Sequence, residues 1–188
     1  MKRYLLAVKY SCAIMLVCSL VFVLNILLPI NLNQWGILPR ATENLPGILF
    51  APFLHASLAH LMSNFFPFII LGMLIAVQSV KRFWLLFIFF IITTGALVWL
   101  FARGNSVHIG MSGVIYALWG YLLVYGFVRR QITSLIISLI TLFFYGGLVL
   151  GVLPSTPQVS FESHLFGAAI GAFTGYYLAK REVQYPSQ

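Results

Sequence analysis

The residues able to do chemistry in this chain fall into three short strings. The first is His55-Ala-Ser-Leu-Ala-His60-Leu-Met-Ser-Asn64. His60 and Asn64 are four apart, so on a helix they share one face. Both can donate hydrogen bonds to an anion, and both can equally tie one helix to another inside a bilayer. A HExxH zinc arrangement is excluded, because the Glu is missing and the spacing differs. The second string, Gly110-Met111-Ser112-Gly113, leads through glycine to a serine at the first position of a helix. A hydroxyl is a poor nucleophile until a base is near. A helix N-terminus offers free N–H groups and a favourable dipole for a developing oxyanion. The same small-residue string can serve packing alone. It also lacks the full Gly-x-Ser-x-Gly elbow, since residue 114 is Val.

The third string is His164-x-x-Gly167-x-x-x-Gly171-x-x-x-Gly175. Glycine at every fourth position makes a smooth stripe that lets two helices approach closely. Gly113, Ala117 and Gly120 form a matching set of small positions. Packing the two stripes together predicts His164 beside Ser112, with Tyr116, one turn along, against the imidazole. Glu162 is two residues from His164 and would not share its helix face, so it makes a poor third member of a triad. His55 is expected to line the floor of the site or brace the preceding loop. His108 reads as a solvated loop residue.

These residues need elements to hold them, and the composition says which kind. The chain has 188 residues, 61% of them apolar and 7% charged, with 11 Lys+Arg against 3 Asp+Glu. Soluble domains are typically about 25% charged, so this chain cannot cover a water-facing surface. One bilayer crossing takes about 20 apolar residues, and the apolar content matches about six. The expected spans are Tyr10 to Leu28, Ala56 to Val77, Phe83 to Phe101, Ser112 to Val128, Ile132 to Val152 and Phe161 to Leu178. The first outer loop covers 29–54, and a cap loop covers 153–160. The first apolar run is too long for a signal peptide and lacks a cleavage site. Cys12 and Cys18 lie within it and read as small core residues.

Sorting the basic residues by side orients the chain. With the N-terminus inside, the inner segments hold Lys2, Arg3, Lys9, Lys81, Arg82, Arg129, Arg130, Lys180 and Arg181; the outer loops hold Arg40 and Arg103. That bias predicts both termini in the cytoplasm. All four histidines then fall near the outer face, which suggests one water-accessible site. The net charge of +8 is spread between apolar runs, so nucleic acid is not an expected partner.

In this order and with this sidedness, the motifs resemble the rhomboid family of intramembrane serine proteases. The matching residues are His55, His60 and Asn64, then Gly110 to Gly113 with Tyr116, then His164, Gly167 and Gly171. The resemblance covers about residues 10 to 180. It implies an all-α, integral membrane protein, a rhomboid-like bundle of six transmembrane helices in a single domain. It also implies a Ser112/His164 dyad with no acid, which agrees with the absence of Asp. Many rhomboids carry a Trp-Arg pair before the first histidine; here that stretch reads Glu43-Asn-Leu-Pro-Gly-Ile-Leu-Phe-Ala-Pro52.

The mechanism expected from these residues is attack by Ser112, with His164 as base and then acid. Asn64, His60 and the backbone N–H of Ser112 would hold the oxyanion. The expected partners are transmembrane protein substrates and the lipid bilayer, with a bacterial inner membrane as the location. A serine mechanism implies no cofactor and no metal. Two other classes compete: a six-span transporter or channel, disfavoured by the lack of mid-span acids and of an inner polar path, and a non-catalytic adaptor that binds spanning helices.

Overall fold

The structure, a computed structural model, describes residues 2–154 and 160–185. Its regular elements are helical. A long first helix, α1 (Lys2–Leu27), is followed by short 3-10 turns and a single helical turn, α2 (Gly47–Phe50). Then come α3 (Leu58–Gln78), α4 (Val80–Phe101), α5 (Ser112–Arg129), α6 (Ile132–Tyr145) and α7 (Phe161–Gln184). A 3-10 segment, Gly146–Val152, continues α6. Among the described residues, five stretches are long and apolar enough to cross a membrane: Leu5–Leu27, α3, α4, α5, and Ile132–Val152. The chain is therefore an integral membrane protein. α7 is 24 residues long, but Glu162, His164, Thr174, its glycines and Lys180 to Glu182 make it less apolar than these five.

Local chemistry sets the boundaries. Ser57 caps α3 by accepting a hydrogen bond from the His60 N–H at 3.1 Å. Ser79 alone separates α3 from α4, and its hydroxyl caps α4 at Arg82 N. The third helix-spanning segment thus begins earlier than the expected Phe83, and Lys81 and Arg82 lie in its first turn. Pro67 sits inside α3. Having no N–H, it frees the Ser63 carbonyl from the helix ladder.

α5 is the most enclosed of the spanning helices and α6 the least. α5 packs most extensively on α7, then on α6, and also touches α3 and α4. The glycine stripes make the α5–α7 approach possible. A Cβ on Gly167 would run into the Gly113 carbonyl, and one on Gly171 into the Ala117 carbonyl. From the other side, a Cβ on Gly120 would lie 2.5 Å from the Ala168 carbonyl oxygen. Side chains therefore do not intervene, and the backbones themselves meet.

The two ends of the bundle differ. At one end Glu182 on α7 accepts from Arg82 Nη2 (2.5 Å) and Tyr125 Oη (2.8 Å), and lies 3.3 Å from Arg129 Nε. At the other, Arg103 pairs with Glu162 at 3.6 Å. The loop between α1 and α3 carries its own anchors: Arg40 donates to the carbonyls of Leu100 and Ala102 at the end of α4, and Trp99 Nε1 donates to the Ala41 carbonyl. Of the expected cap loop at 153–160, residues 155–159 lie outside the described residues.

Candidate active site

Ser112 is the first residue of α5, and the turn before it depends on glycine. Gly110 has φ +112°, a conformation costly for any residue with a Cβ. Its N–H donates to the Ala51 carbonyl at 2.8 Å. A Cβ there would also lie 2.6 Å from His60 Nε2, so the imidazole of His60 fits against this turn only because residue 110 is glycine.

His164 stands on the first turn of α7, carried to α5 by the backbone contact at Gly167. Its Nε2 lies 2.9 Å from Ser112 Oγ. Its Nδ1 lies 2.8 Å from the Gly151 carbonyl oxygen. A carbonyl can only accept, so Nδ1 carries the proton and Nε2 presents its lone pair to the serine hydroxyl. That is the tautomer a general base needs. The ring stacks on Tyr116, with centroids 4.2 Å apart and planes 6° from parallel. Gly151 permits this approach, since a Cβ there would strike the Tyr116 hydroxyl.

The Ser112–His164 pair opens into a cavity of about 740 Å³, bounded by the start of α3 and by the loop before α5. His60, Ser63, Asn64 and Pro67 form one wall; Arg103, Ser106 and His108 stand on the other. Asn64 is buried, and its amide donates one hydrogen bond to the His60 carbonyl at 2.7 Å. That bond uses one of two N–H groups on the side chain and fixes its rotamer. His60 and Asn64 thus share the cavity with Ser112.

His55 does not face that cavity. It is fully buried, stacked edge-on to His60 with centroids 5.1 Å apart. Among the described residues neither ring nitrogen has a hydrogen-bond partner. Burial first, and His60 second, push its pKa down to about 4, with the nearby Phe53 carbonyl opposing slightly. It braces the first loop against α3 as a neutral ring.

Two sequence expectations need correction or completion. His108 is not solvated: it is 3% exposed. Its backbone pairs in both directions with Ile37, a short antiparallel bridge (3.0 and 2.8 Å) that ties the loop between α1 and α3 to the Ser112 loop. Loop residues far apart in sequence make this pairing, so no periodicity announces it. The group that orients His164 is also invisible in the sequence, because it is the backbone carbonyl of Gly151. Glu162, two residues from His164, turns away to Arg103. No cluster of three or more metal-ligating side chains occurs among the described residues.

Comparison with known proteins points to one family. A family model described as Rhomboid domain matches residues 42–181, from the loop between α1 and α3 into the last turn of α7. An uncharacterized protein of Mycobacterium tuberculosis is 38% identical over 161 residues, covering 81% of this chain and 67% of its own length. One from Mycobacterium leprae is 40% identical over 161 residues, covering 81% of this chain and 63% of its own.

Proposed function

We propose that this chain, which belongs to the rhomboid family, is an intramembrane serine endopeptidase that cleaves peptide bonds in or near transmembrane segments of other proteins. The observation that carries this reading is the 2.9 Å contact between Ser112 Oγ and His164 Nε2 at the edge of a cavity that His60 and Asn64 also line. A hydroxyl at a helix N-terminus, bonded to an imidazole whose other nitrogen is fixed by an acceptor, has the parts of an activated nucleophile.

In the proposed reaction Ser112 Oγ attacks the scissile carbonyl while its proton passes to His164 Nε2. The tetrahedral oxyanion is held by the Ser112 N–H, the free N–H of the Asn64 amide and the His60 ring. Collapse expels the amine, which takes the proton from His164. Water then repeats the sequence on the acyl-serine and releases the acid. The Gly151 carbonyl takes the place an acidic residue holds in a triad. It steadies the ring without adding a charge, which suits a site within a bilayer. No cofactor enters any step.

In this reading α7 is the sixth span. Its length suffices for a crossing, and its buried glycines Gly167, Gly171 and Gly175 lie against α5. Both termini lie in the cytoplasm by the basic-residue bias, and the membrane is a bacterial inner membrane. The substrate is a single-span helix that can unwind near the outer face, because a helix hides its peptide bonds.

Purified protein in liposomes, treated with a fluorophosphonate probe and offered a transmembrane peptide, tests the reading. Wild type should label and cleave, and Ser112→Ala and His164→Ala should each abolish both. Normal cleavage by His164→Ala would sink the dyad. A folded wild-type protein that neither labels nor cleaves would favour the adaptor class.

A further inference from the structure

A chain of side-chain hydrogen bonds joins the loop before Ser112 to the turn that carries His164. His108 Nε2 lies 3.2 Å from the Arg103 carbonyl oxygen. His108 Nδ1 lies 2.5 Å from Ser160 Oγ, and Ser160 Oγ lies 2.6 Å from Ser163 Oγ. The direction of each bond follows from the first. The Arg103 carbonyl can only accept, so Nε2 carries the proton and Nδ1 of the neutral ring accepts. Ser160 must therefore donate to His108, and its oxygen accepts from the Ser163 hydroxyl. Every group in the chain is satisfied by one arrangement.

Ser160 makes this choice against its local preference. It occupies the N-cap position of α7, where a serine ordinarily accepts a bond from a first-turn N–H. Its side chain makes no such bond; the Ser163 and His164 N–H groups reach only its backbone carbonyl, at 3.1 and 3.4 Å. Departure from a local rule beside a reactive site is where function is expected to outweigh stability. His108 is four residues before Ser112, and Ser163 is next to His164.

We propose that His108 is a positioning residue, acting through Ser160 to hold the first turn of α7, and with it His164, in register with Ser112. The inference rests on the serine-protease reading for its consequence but not for its geometry. His108 touches neither the serine nor the base. It is fixed on one side by its backbone bridge to Ile37 and on the other by Ser160, so the first outer loop, the Ser112 loop and α7 share one joint. Without the Ser160 bond, α7 would remain packed on α5 at the glycines, but its first turn would be free to shift. A shift of about 1 Å at a reacting pair can cost about 100-fold in rate.

The test uses wild type, Ser160→Ala, His108→Leu, His108→Asn and the Ser160→Ala/His108→Leu double variant in liposomes. Fluorophosphonate labelling rate and turnover of a transmembrane peptide are read together with thermal stability. Ser160→Ala and His108→Leu should each lower kcat and the labelling rate by about 10- to 100-fold, with KM unchanged. The double variant should be no slower than the slower single. His108→Asn, which returns an acceptor near the Nδ1 position, should recover part of the loss. Losses that multiply in the double variant, a change confined to KM, or full kcat in Ser160→Ala would each overturn the proposal. A second measurement does not need activity. Amide hydrogen exchange at Ser163 and His164 should quicken in Ser160→Ala while exchange near Gly171 does not change. Unchanged exchange at both places would overturn the positioning role, whereas a wild type that fails to label would overturn only the protease reading.

Discussion

Gly171→Ala probes the link between helix packing and the dyad without touching the cavity. Two opposing effects set its size. In a helix, Ala is favoured over Gly by about 1 kcal/mol. Against that, the new Cβ would run into the Ala117 carbonyl oxygen, and would lie 2.7 Å from the carbonyl carbon and 2.9 Å from Cα. All three are backbone atoms of α5, so no side chain can swing away. Ordinary contact needs about 3.4–4 Å, and the helices must part by on the order of 1 Å. Overpacking of this kind costs about 1–3 kcal/mol, and more where nothing yields. Because only backbone atoms oppose the new Cβ, the clash wins, and after the propensity gain a net loss of up to about 2 kcal/mol is expected. The same displacement would be felt within two turns, at Ser112 and His164, where about 1 Å is enough for a roughly 100-fold fall in kcat. Gly147→Ala is the control: nothing lies within 4 Å of a Cβ there. The assay is denaturant or thermal unfolding in matched detergent, alongside kcat on a transmembrane peptide. Wild-type stability and turnover in Gly171→Ala would refute the claim that backbone contact between α5 and α7 sets the dyad.

Asn64→Ala should lower kcat by about 100- to 1000-fold with little change in KM, as loss of one oxyanion donor does; steady-state kinetics decide it, and a purely KM effect would assign Asn64 to substrate binding. His55 gives a pH-dependent stability. Its folded pKa is about 4 against 6.5 for the free ring, so the unfolded chain binds more protons between those values. Stability should be intact above about 6.5, fall as pH drops through that window, and lose about 3 kcal/mol below pH 4. An unfolding series against pH should show this slope, and His55→Phe should make it shallower. Glu182→Gln removes the charge that faces Arg82 and Arg129 at the other end of the bundle. It should cost about 1–2 kcal/mol at low salt and leave kcat within about twofold, since the cavity is a helix length away; a large kcat loss would mean the two ends communicate.

How much of this could be read in advance depends on what kind of interaction carries each part. The spanning helices announce themselves because hydrophobic length is a property of contiguous residues. The meeting of Ser112 with His164 was legible for a similar reason. Glycine at 167, 171 and 175 and small residues at 113, 117 and 120 are periodic, and a periodic smooth stripe implies backbone contact. Tyr116 follows from that contact, one turn below the serine. What resists reading is whatever the backbone does outside periodic elements. The Gly151 carbonyl that orients His164 belongs to every residue type alike, so its only trace is a glycine that a Tyr116 hydroxyl requires. His108 is harder still. A histidine in a stretch containing Arg103, Gly104 and Asn105 reads as solvated, and nothing local tells that Ile37, seventy-one positions earlier, will pair with it. Ser160 departs from the rule that a serine just before a helix caps it. The structure gives that hydroxyl to His108 instead. The polar groups around the dyad are therefore arranged by long-range loop contacts laid over a helix pair whose own meeting is encoded locally. On that division, substitutions along the glycine stripe should move stability and kcat together, whereas those at His108 and Ser160 should move kcat while the bundle stays folded.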